Sequence, residues 1–316
     1  MKRLLLISMM ILALCLSVSL AEEESVEWHT GAGEVWNDAG EHFSYVIEDD
    51  HAVLTRYWVE KGMPQPPVVQ PPEALGGLPL TAIGPNVFND EYMGYNGEMV
   101  SRIVIPEGVT ELRADSFDCA HDIPLIELPS TLAEISPLYP FHHVQADIRF
   151  PNGNARYRLE EGFLIDIRTD TLIYCSASAR ELPLPRVRRI GDSALENYSF
   201  YQTILEFPDS VEYIGSYNAY DCVDLEAIIV PGSVVELADH ALSINTASEI
   251  ILNEGLRRIG AFAFEQTEIT EIRIPSSVEW IGWYAFFLTH VEDTLPELNV
   301  HMETEEEYAS RTGEDE

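Results

Sequence analysis

The chain has 316 residues and carries 54 Asp and Glu residues against 18 Lys and Arg, which gives a formal net charge of −36. This acidity excludes a nucleic-acid-binding protein, which needs a basic face for the phosphate backbone, and it argues against docking on an anionic membrane surface. Hydrophobic residues make up 46% of the chain, enough to bury a large core.

The first 21 residues have the pattern of a secretory signal peptide. Lys2 and Arg3 precede a long apolar run, and Ser19 and Ala21 place small residues at −3 and −1 of a cleavage site. We expect cleavage after Ala21, rather than an uncleaved anchor, and therefore a secreted or cell-surface protein. Loss of the two cations takes the net charge to −38. No other long apolar run occurs in the sequence, so no membrane span is predicted after cleavage.

Residues 22–65 are predicted to form an N-terminal cap. Residues 44–48 and 52–57 alternate apolar and polar side chains on either side of Asp49 and Asp50, which is typical of a β-hairpin. A repeat structure needs such a cap, because the core face of its first unit would otherwise meet water.

From residue 66 onward a phrase of about 22–24 residues recurs. A short alternating apolar run ends at a Pro, as in residues 103–106 and 126–129, and an apolar anchor follows about six residues later. The alternation predicts a strand with one buried face, and the Pro ends it because it has no N–H. The anchors are Ile83, Leu112, Ile135, Ile190, Ile214, Leu237, Ile259 and Ile281. Because one unit cannot bury its own apolar side, we expect about eight units to stack into a solenoid.

The full phrase, I-x-I-P-x-x-V-x-x-I-G-x-x-A-F, resembles the BspA-like, or treponemal-type, leucine-rich repeat. Its best copies are residues 272–286 and 250–264, and the resemblance covers roughly residues 43–311. It implies a β-dominated leucine-rich repeat solenoid and a secreted or surface-exposed binding protein, often an adhesin in bacteria, with no catalytic residues to carry over. The Gly of the phrase is replaced in three units, by Arg113, Ser136 and Ala238.

The gap between Ile135 and Ile190 is longer than one repeat by about 32 residues. Inside it, residues 163–167 and 171–175 flank a short polar turn, which indicates an inserted β-hairpin that projects from or extends the sheet. The predicted organisation is a signal peptide (1–21), an N-terminal cap (22–65), a first repeat block (66–151), an inserted hairpin (152–178), a second repeat block (179–291), and a C-terminal cap with an acidic tail (292–316).

Sequence motifs for catalysis, cofactors and metals are missing. No G-x-S-x-G, Walker loop, G-x-G-x-x-G or H-E-x-x-H occurs, so we predict no catalytic residues and no cofactor. His142 and His143 are adjacent, and on a strand their rings would point opposite ways, so we predict no metal site.

Three cysteines remain after cleavage, and their odd number and wide spacing predict free thiols rather than a disulfide at Cys119, Cys175 or Cys222.

The outward positions of the predicted strands are the candidate binding surface. They are Arg102, Val104, Leu125, Glu127, Asp147, Arg149, Ile204, Glu206, Ala227, Ile229, Glu249, Ile251, Glu271 and Arg273. Exposed contiguous apolar surface often marks an interface, so we predict that this stripe binds a protein or surface macromolecule. The alternative is ordinary strand surface, on which β-branched residues suit the strand and charges keep it soluble. The strong negative charge favours a partner with a cationic patch.

Our leading hypothesis is therefore a secreted or surface repeat protein that binds another macromolecule, adhesin-like, without catalysis. Two alternatives stay open. One is a secreted hydrolase of glycan or peptide, because 54 acidic residues will bring some carboxylates together. The other is a structural component of a surface or matrix.

Overall fold

The computed structural model describes residues 27–88, 100–118, 120, 123–179, 183–196, 203–291 and 300–313. The fold is a leucine-rich repeat solenoid of short strands, and one α-helix is present in the described ranges. The predicted signal peptide and Cys119 lie outside the described residues. No helix among the described residues has the length and apolar character that a membrane crossing requires.

The N-terminal cap is an antiparallel sheet whose strands follow chain order. Its strands are β1 (Trp28–Gly31), β2 (Glu34–Asn37), β3 (Glu41–Glu48) and β4 (His51–Val59). The β3–β4 hairpin is the predicted one, and Asp49 takes a φ of 53° in its turn. The β1–β2 hairpin is an addition that the alternation did not predict. Strand β4 then pairs in parallel with a strand of the first repeat, so the cap and the solenoid share one sheet.

Each repeat contributes up to two short strands, which lie in two rows of parallel strands, and each row is divided into one sheet for each block. The first row consists of β5 (Val68–Val69), β8 (Arg102–Val104), β10 (Leu125–Glu127), β12 (Asp147–Arg149), β17 (Ile204–Glu206), β19 (Ala227–Val230) and β21 (Glu249–Leu252). The second row carries the eight predicted anchors on β7 (Leu78–Ile83), β9 (Glu111–Leu112), β11 (Glu134–Ile135), β16 (Arg189–Ile190), β18 (Tyr213–Ile214), β20 (Glu236–Leu237), β22 (Arg258–Ile259) and β23 (Trp280–Ile281). A ninth strand, β24 (His301–Met302), follows β23 in this row. A two-residue strand, β6 (Ala74–Leu75), pairs with β7.

Each repeat forms one turn of the solenoid, because equivalent residues of successive repeats pair in register. Ile126 pairs with Ile103 on one side and with Ile148 on the other, so equivalent residues stack directly and bury one continuous apolar column. Successive turns come so close that a Cβ on Gly282 would lie 2.2 Å from the backbone nitrogen of Ala261. Close packing against the neighbouring turn therefore requires glycine at position 282, although Arg113, Ser136 and Ala238 occupy the equivalent position in other turns.

The insertion is a three-stranded antiparallel sheet: β13 (Tyr157–Glu160), β14 (Phe163–Asp166) and β15 (Thr171–Cys175). It extends the second row, because β15 pairs in parallel with β16. All four residues of β14 are buried. Leu164 and Tyr174 pack into the core of the first block, whereas Phe163 and Leu172 pack into the core of the second. The insertion is therefore an internal sheet that separates two cores; it does not project into solvent.

Residues 271–274 depart from the predicted pattern. They form no strand, and among the described residues the first row of the second block ends at β21. Ile272 and Ile274 still pack, partly buried, against the core.

The C-terminal cap contains a two-residue strand, β24, and a short helix, α1 (Glu305–Thr312). The helix begins with a capping box between Thr304 and Glu307. Arg311 then donates to Glu303 at 2.9 Å and to Asp239 at 2.7 Å, which holds the helix against the last turns. Cys175 and Cys222 are both buried, and neither forms a disulfide bond among the described residues.

Candidate binding surfaces

The outward face of β17, β19 and β21 is the sheet surface with the most exposed apolar side chains among the predicted positions. Ile204 is 47% exposed and Ile251 is 38% exposed, and Ile229 is half-buried between Glu206 and Ile251. Glu206 and Glu249 are exposed beside them. Ala227 is buried, contrary to the prediction, because its methyl group lies between the longer side chains of neighbouring strands.

The equivalent face of the first block is more polar. Arg102 and Arg149 are exposed, whereas Val104, Leu125, Glu127 and Asp147 are half-buried. Arg102 lies 3.6 Å from Glu127 on the next strand, and Asp147 accepts a hydrogen bond from the backbone N–H of Ser178. Beyond β21, Glu271 and Arg273 are exposed although they are not on a strand. The structure thus brings together the apolar part of the predicted stripe in the second block only.

A second surface lies at the turns after the second row. The residue three positions after the anchor has a positive φ in most turns, and in the first block it is Asn86 or Asp115, which tolerate this conformation. In the second block it is Ser193 in the first turn and aromatic in the following four turns, at Tyr217, His240, Phe262 and Tyr284. Bulky side chains rarely adopt a positive φ, and backbone strain of this kind is found most often at functional sites.

These side chains stack along the solenoid. The rings of Tyr217 and His240 lie 5.0 Å apart, and those of His240 and Phe262 lie 4.8 Å apart and within 1° of parallel. They border a groove of about 420 Å³, lined by Tyr139, His142, Tyr217, Tyr220, His240, Ile244 and Glu265. Burial raises the pKa of Tyr139 to about 12, so its hydroxyl stays protonated. This groove was not predicted from the sequence, although the aromatic residues three positions after the anchors could have indicated it.

The histidine pair lies beside this groove, and its geometry corrects the sequence argument. His142 and His143 are in a turn, not on a strand, and His143 has a φ of 56°. Their rings therefore lie side by side, with centroids 3.8 Å apart, instead of pointing opposite ways. Nδ1 of His142 and Nδ1 of His143 lie 3.2 and 3.6 Å from Oδ1 of Asp118, and the donor atoms of these three residues are within 4.8 Å of one another.

On the opposite ring edges, Nε2 of His142 and Nε2 of His143 lie 3.1 and 3.3 Å from Oε1 of Glu196. The nearby carboxylate of Glu196 is the first cause of a raised pKa at His142. Glu196 belongs to the second block, so the cluster joins the two blocks across the insertion.

A cleft of about 390 Å³ lies where the first block meets the insertion and the second block. Asp192 lines it, and burial raises the pKa of this carboxyl group, which is a property of many catalytic acids. However, Oδ1 of Asp192 accepts a hydrogen bond from the backbone N–H of Ser216, and Oδ1 of Asp239 accepts the equivalent bond from the backbone N–H of Ala261 two turns further on. The perturbed carboxyl group therefore has a repeated structural role between adjacent turns.

Comparison with known proteins identifies the repeat. The family described as BspA type leucine rich repeat region matches six copies, over residues 80–150 and 166–291. No curated protein matches the chain. Among solved structures, the T. pallidum leucine-rich repeat protein TpLRR is 21% identical, with 69% of this chain and 81% of that chain covered and a TM-score of 0.34. A leucine-rich cell surface protein from Faecalibacterium prausnitzii is 17% identical, with 87% and 57% covered and a TM-score of 0.35. The pneumococcal vaccine antigen PcpA is 14% identical, with 88% and 100% covered and a TM-score of 0.28.

Proposed function

Because this chain belongs to the BspA-type leucine-rich repeat family, we propose that it is a secreted or cell-surface protein that binds another macromolecule without catalysis. The observation that carries the proposal is the apolar strip formed by Ile204, Ile229 and Ile251 on adjacent parallel strands, with Glu206 and Glu249 beside it. An apolar centre with a charged rim is the usual anatomy of a protein interface.

The partner is proposed to be a protein or surface macromolecule with a cationic patch. The net charge of −36 creates a long-range field that accelerates encounters with a positive surface, and salt screens such a field. The proposed location follows from the signal-peptide pattern of residues 1–21 and from the family resemblance.

The experiment is a binding measurement with the chain from residue 22 onward, immobilised and exposed to a panel of purified extracellular matrix proteins and cell-surface polymers at two salt concentrations. Ile229→Asp and Ile251→Asp should each weaken binding at least about fivefold, which corresponds to about 1 kcal/mol. The matched control is Val223→Asp, which places the same charge at a residue that is 57% exposed and lies outside the strands.

The outcomes separate the three hypotheses. Binding that is lost in both strip variants and kept in the control supports the proposal. Binding that is equal in all variants excludes the strip as the contact surface. Hydrolysis of a glycan or peptide that is lost on changing one carboxylate pair would favour the hydrolase, and self-assembly without a partner would favour the structural component.

A further inference from the structure

The two imidazoles of the histidine pair face carboxylate oxygens on both ring edges. All four ring nitrogens of His142 and His143 lie between 3.1 and 3.6 Å from Oδ1 of Asp118 or Oε1 of Glu196. A neutral imidazole has one N–H and one lone pair, so each neutral ring would direct a lone pair at a carboxylate acceptor. Two neutral rings therefore cannot satisfy both carboxylates, and a positive charge is needed among these four side chains.

The burial of Glu196 also indicates that a positive charge is needed here. Its side chain is 3% exposed, and within the described part of the chain neither of its oxygens forms a hydrogen bond of ordinary geometry. A buried carboxylate that lacks hydrogen bonds is costly unless a cation compensates it. Protonating both rings would provide that charge, but it would place two imidazolium groups with centroids 3.8 Å apart.

We propose that His142, His143 and Glu196 bind a divalent transition-metal ion of the zinc class. Donor atoms around a tetrahedral Zn²⁺ are about 3.3 Å apart for bond lengths of about 2.0–2.1 Å. The Nε2–Oε1 separations of 3.1 and 3.3 Å already have this spacing. Two imidazoles and one carboxylate suit zinc, nickel or copper, whereas calcium requires six or more oxygen ligands.

Asp118 is the positioning residue of this site. Its Oδ1 lies 3.2 Å from Nδ1 of His142, where it can accept the Nδ1–H and so leave the Nε2 lone pair for the ion. Histidine ligands usually have such a carboxylate or carbonyl partner on the other ring nitrogen. Three protein ligands leave a fourth coordination position open, and one of the ligands, His142, also lines the groove beside Tyr217 and His240.

The site would also connect the two repeat blocks. His142 and His143 lie in the turn after β11, the last second-row strand of the first block, and Glu196 lies in the first turn of the second block. The internal sheet of the insertion lies between them in sequence. An ion that binds only the folded arrangement stabilises it by mass action. Zinc should therefore raise the melting temperature as well as bind.

The experiment is calorimetric titration of the chelator-treated chain with Zn²⁺ alone, with Ca²⁺ as the second probe. We expect one Zn²⁺ per chain with a Kd below about 1 µM and no comparable Ca²⁺ binding. His142→Ala, His143→Ala and Glu196→Gln should each weaken zinc binding at least about 100-fold, and Asp118→Asn about 10–100-fold, the range expected for an outer-shell partner. The control is His51→Ala, because His51 also lies beside carboxylates, at 3.6 Å from Asp50 and 4.0 Å from Glu48.

A spectroscopic test needs no variant. Co²⁺ in place of zinc should give the intense visible absorption of a four-coordinate site, and one equivalent of Zn²⁺ should remove it. Circular dichroism and melting without metal will show whether each variant folds. The proposal is overturned if the wild-type chain binds no zinc at neutral pH, or if His51→Ala weakens zinc binding as much as the histidine-pair variants do.

Discussion

The guanidinium group of Arg113 donates to both carboxylate oxygens of Glu48, at 2.9 and 2.7 Å. Arg113 stands where the repeat phrase has Gly, and Glu48 is the last residue of β3 in the cap hairpin. The bidentate pair lowers the pKa of the Glu48 carboxyl group. This departure from the repeat phrase therefore connects the first block to its cap.

Arg113→Ala should lower the free energy of unfolding by about 1 kcal/mol, because the pair is bidentate but only partly buried. Urea denaturation of the wild-type chain, both single variants and the Arg113→Ala, Glu48→Gln double variant will give the coupling energy. Arg257→Ala is the control, since Arg257 and Glu279 form an exposed pair at 3.4 Å. Equal losses in Arg257→Ala and Arg113→Ala would contradict a specific role for the cap contact.

Ile228→Asp and Ile229→Asp form a matched pair on one strand. Ile228 is fully buried and Ile229 faces outward, so the first change buries an unpaired charge and the second leaves the charge accessible to water. Ile228→Asp should destabilise the second block by several kcal/mol, and Ile229→Asp, at a position that is half-buried and faces Glu206 across the sheet, by about 1 kcal/mol. Thermal melting followed by circular dichroism measures both, and the reverse order would mean that the strand faces are inverted.

Gly282→Ala should destabilise the fold more than alanine at an uncrowded glycine. The new Cβ would lie 2.2 Å from the Ala261 nitrogen, so adjacent turns would have to separate, at a cost of about 2–3 kcal/mol. Gly62→Ala has no atom within 4 Å of the new Cβ and carries only the cost of its positive φ, about 1 kcal/mol. Chemical denaturation compares the two, and similar losses would mean that the turns relax freely.

Glu107 should contribute stability that depends on pH. It accepts hydrogen bonds from Asn152 and from the backbone N–H groups of Ser130 and Thr131, which lower its pKa from 4.5 to about 2. A lowered folded-state pKa means that the contribution is complete above about pH 4.5 and is lost as the pH falls toward about 2.

Because Glu107 is exposed, we expect Glu107→Gln to lose less than about 1 kcal/mol at pH 6. Melting curves of Glu107→Gln and the wild-type chain should differ at pH 6 and converge toward pH 2. A difference that grows as the pH falls would contradict this assignment.

The strands were predictable because the alternation of a short strand decides which side chains enter the core. Ile103, Ile126 and Ile148 follow this rule, and all are buried. The burial of both faces of β14 was also readable, since Phe163-Leu164-Ile165 is a continuous apolar run, which is typical of a strand covered on both sides. The alternation predicted that this segment forms a hairpin, but it did not show which part of the chain packs on each face of β14.

The histidine cluster was not predictable in the same way. Whether two adjacent rings diverge or lie together depends on the backbone, and a positive φ at His143 brings them together. Glu196 reaches them only because the insertion lets the second block continue the stack of the first. Contacts between residues so far apart in sequence leave no local pattern.

The internal sheet of the insertion also has a consequence for how the molecule unfolds. Its residues are divided between two cores, so loss of the second block would uncover Phe163 and Leu172 while Leu164 and Tyr174 stay packed. Solenoids unfold as rows of coupled neighbours, and a break in the core is a natural point for such unfolding to stop. The chain is thus built as two cooperative units with a common boundary, and fraying from the C-terminal end can halt there with the first block intact.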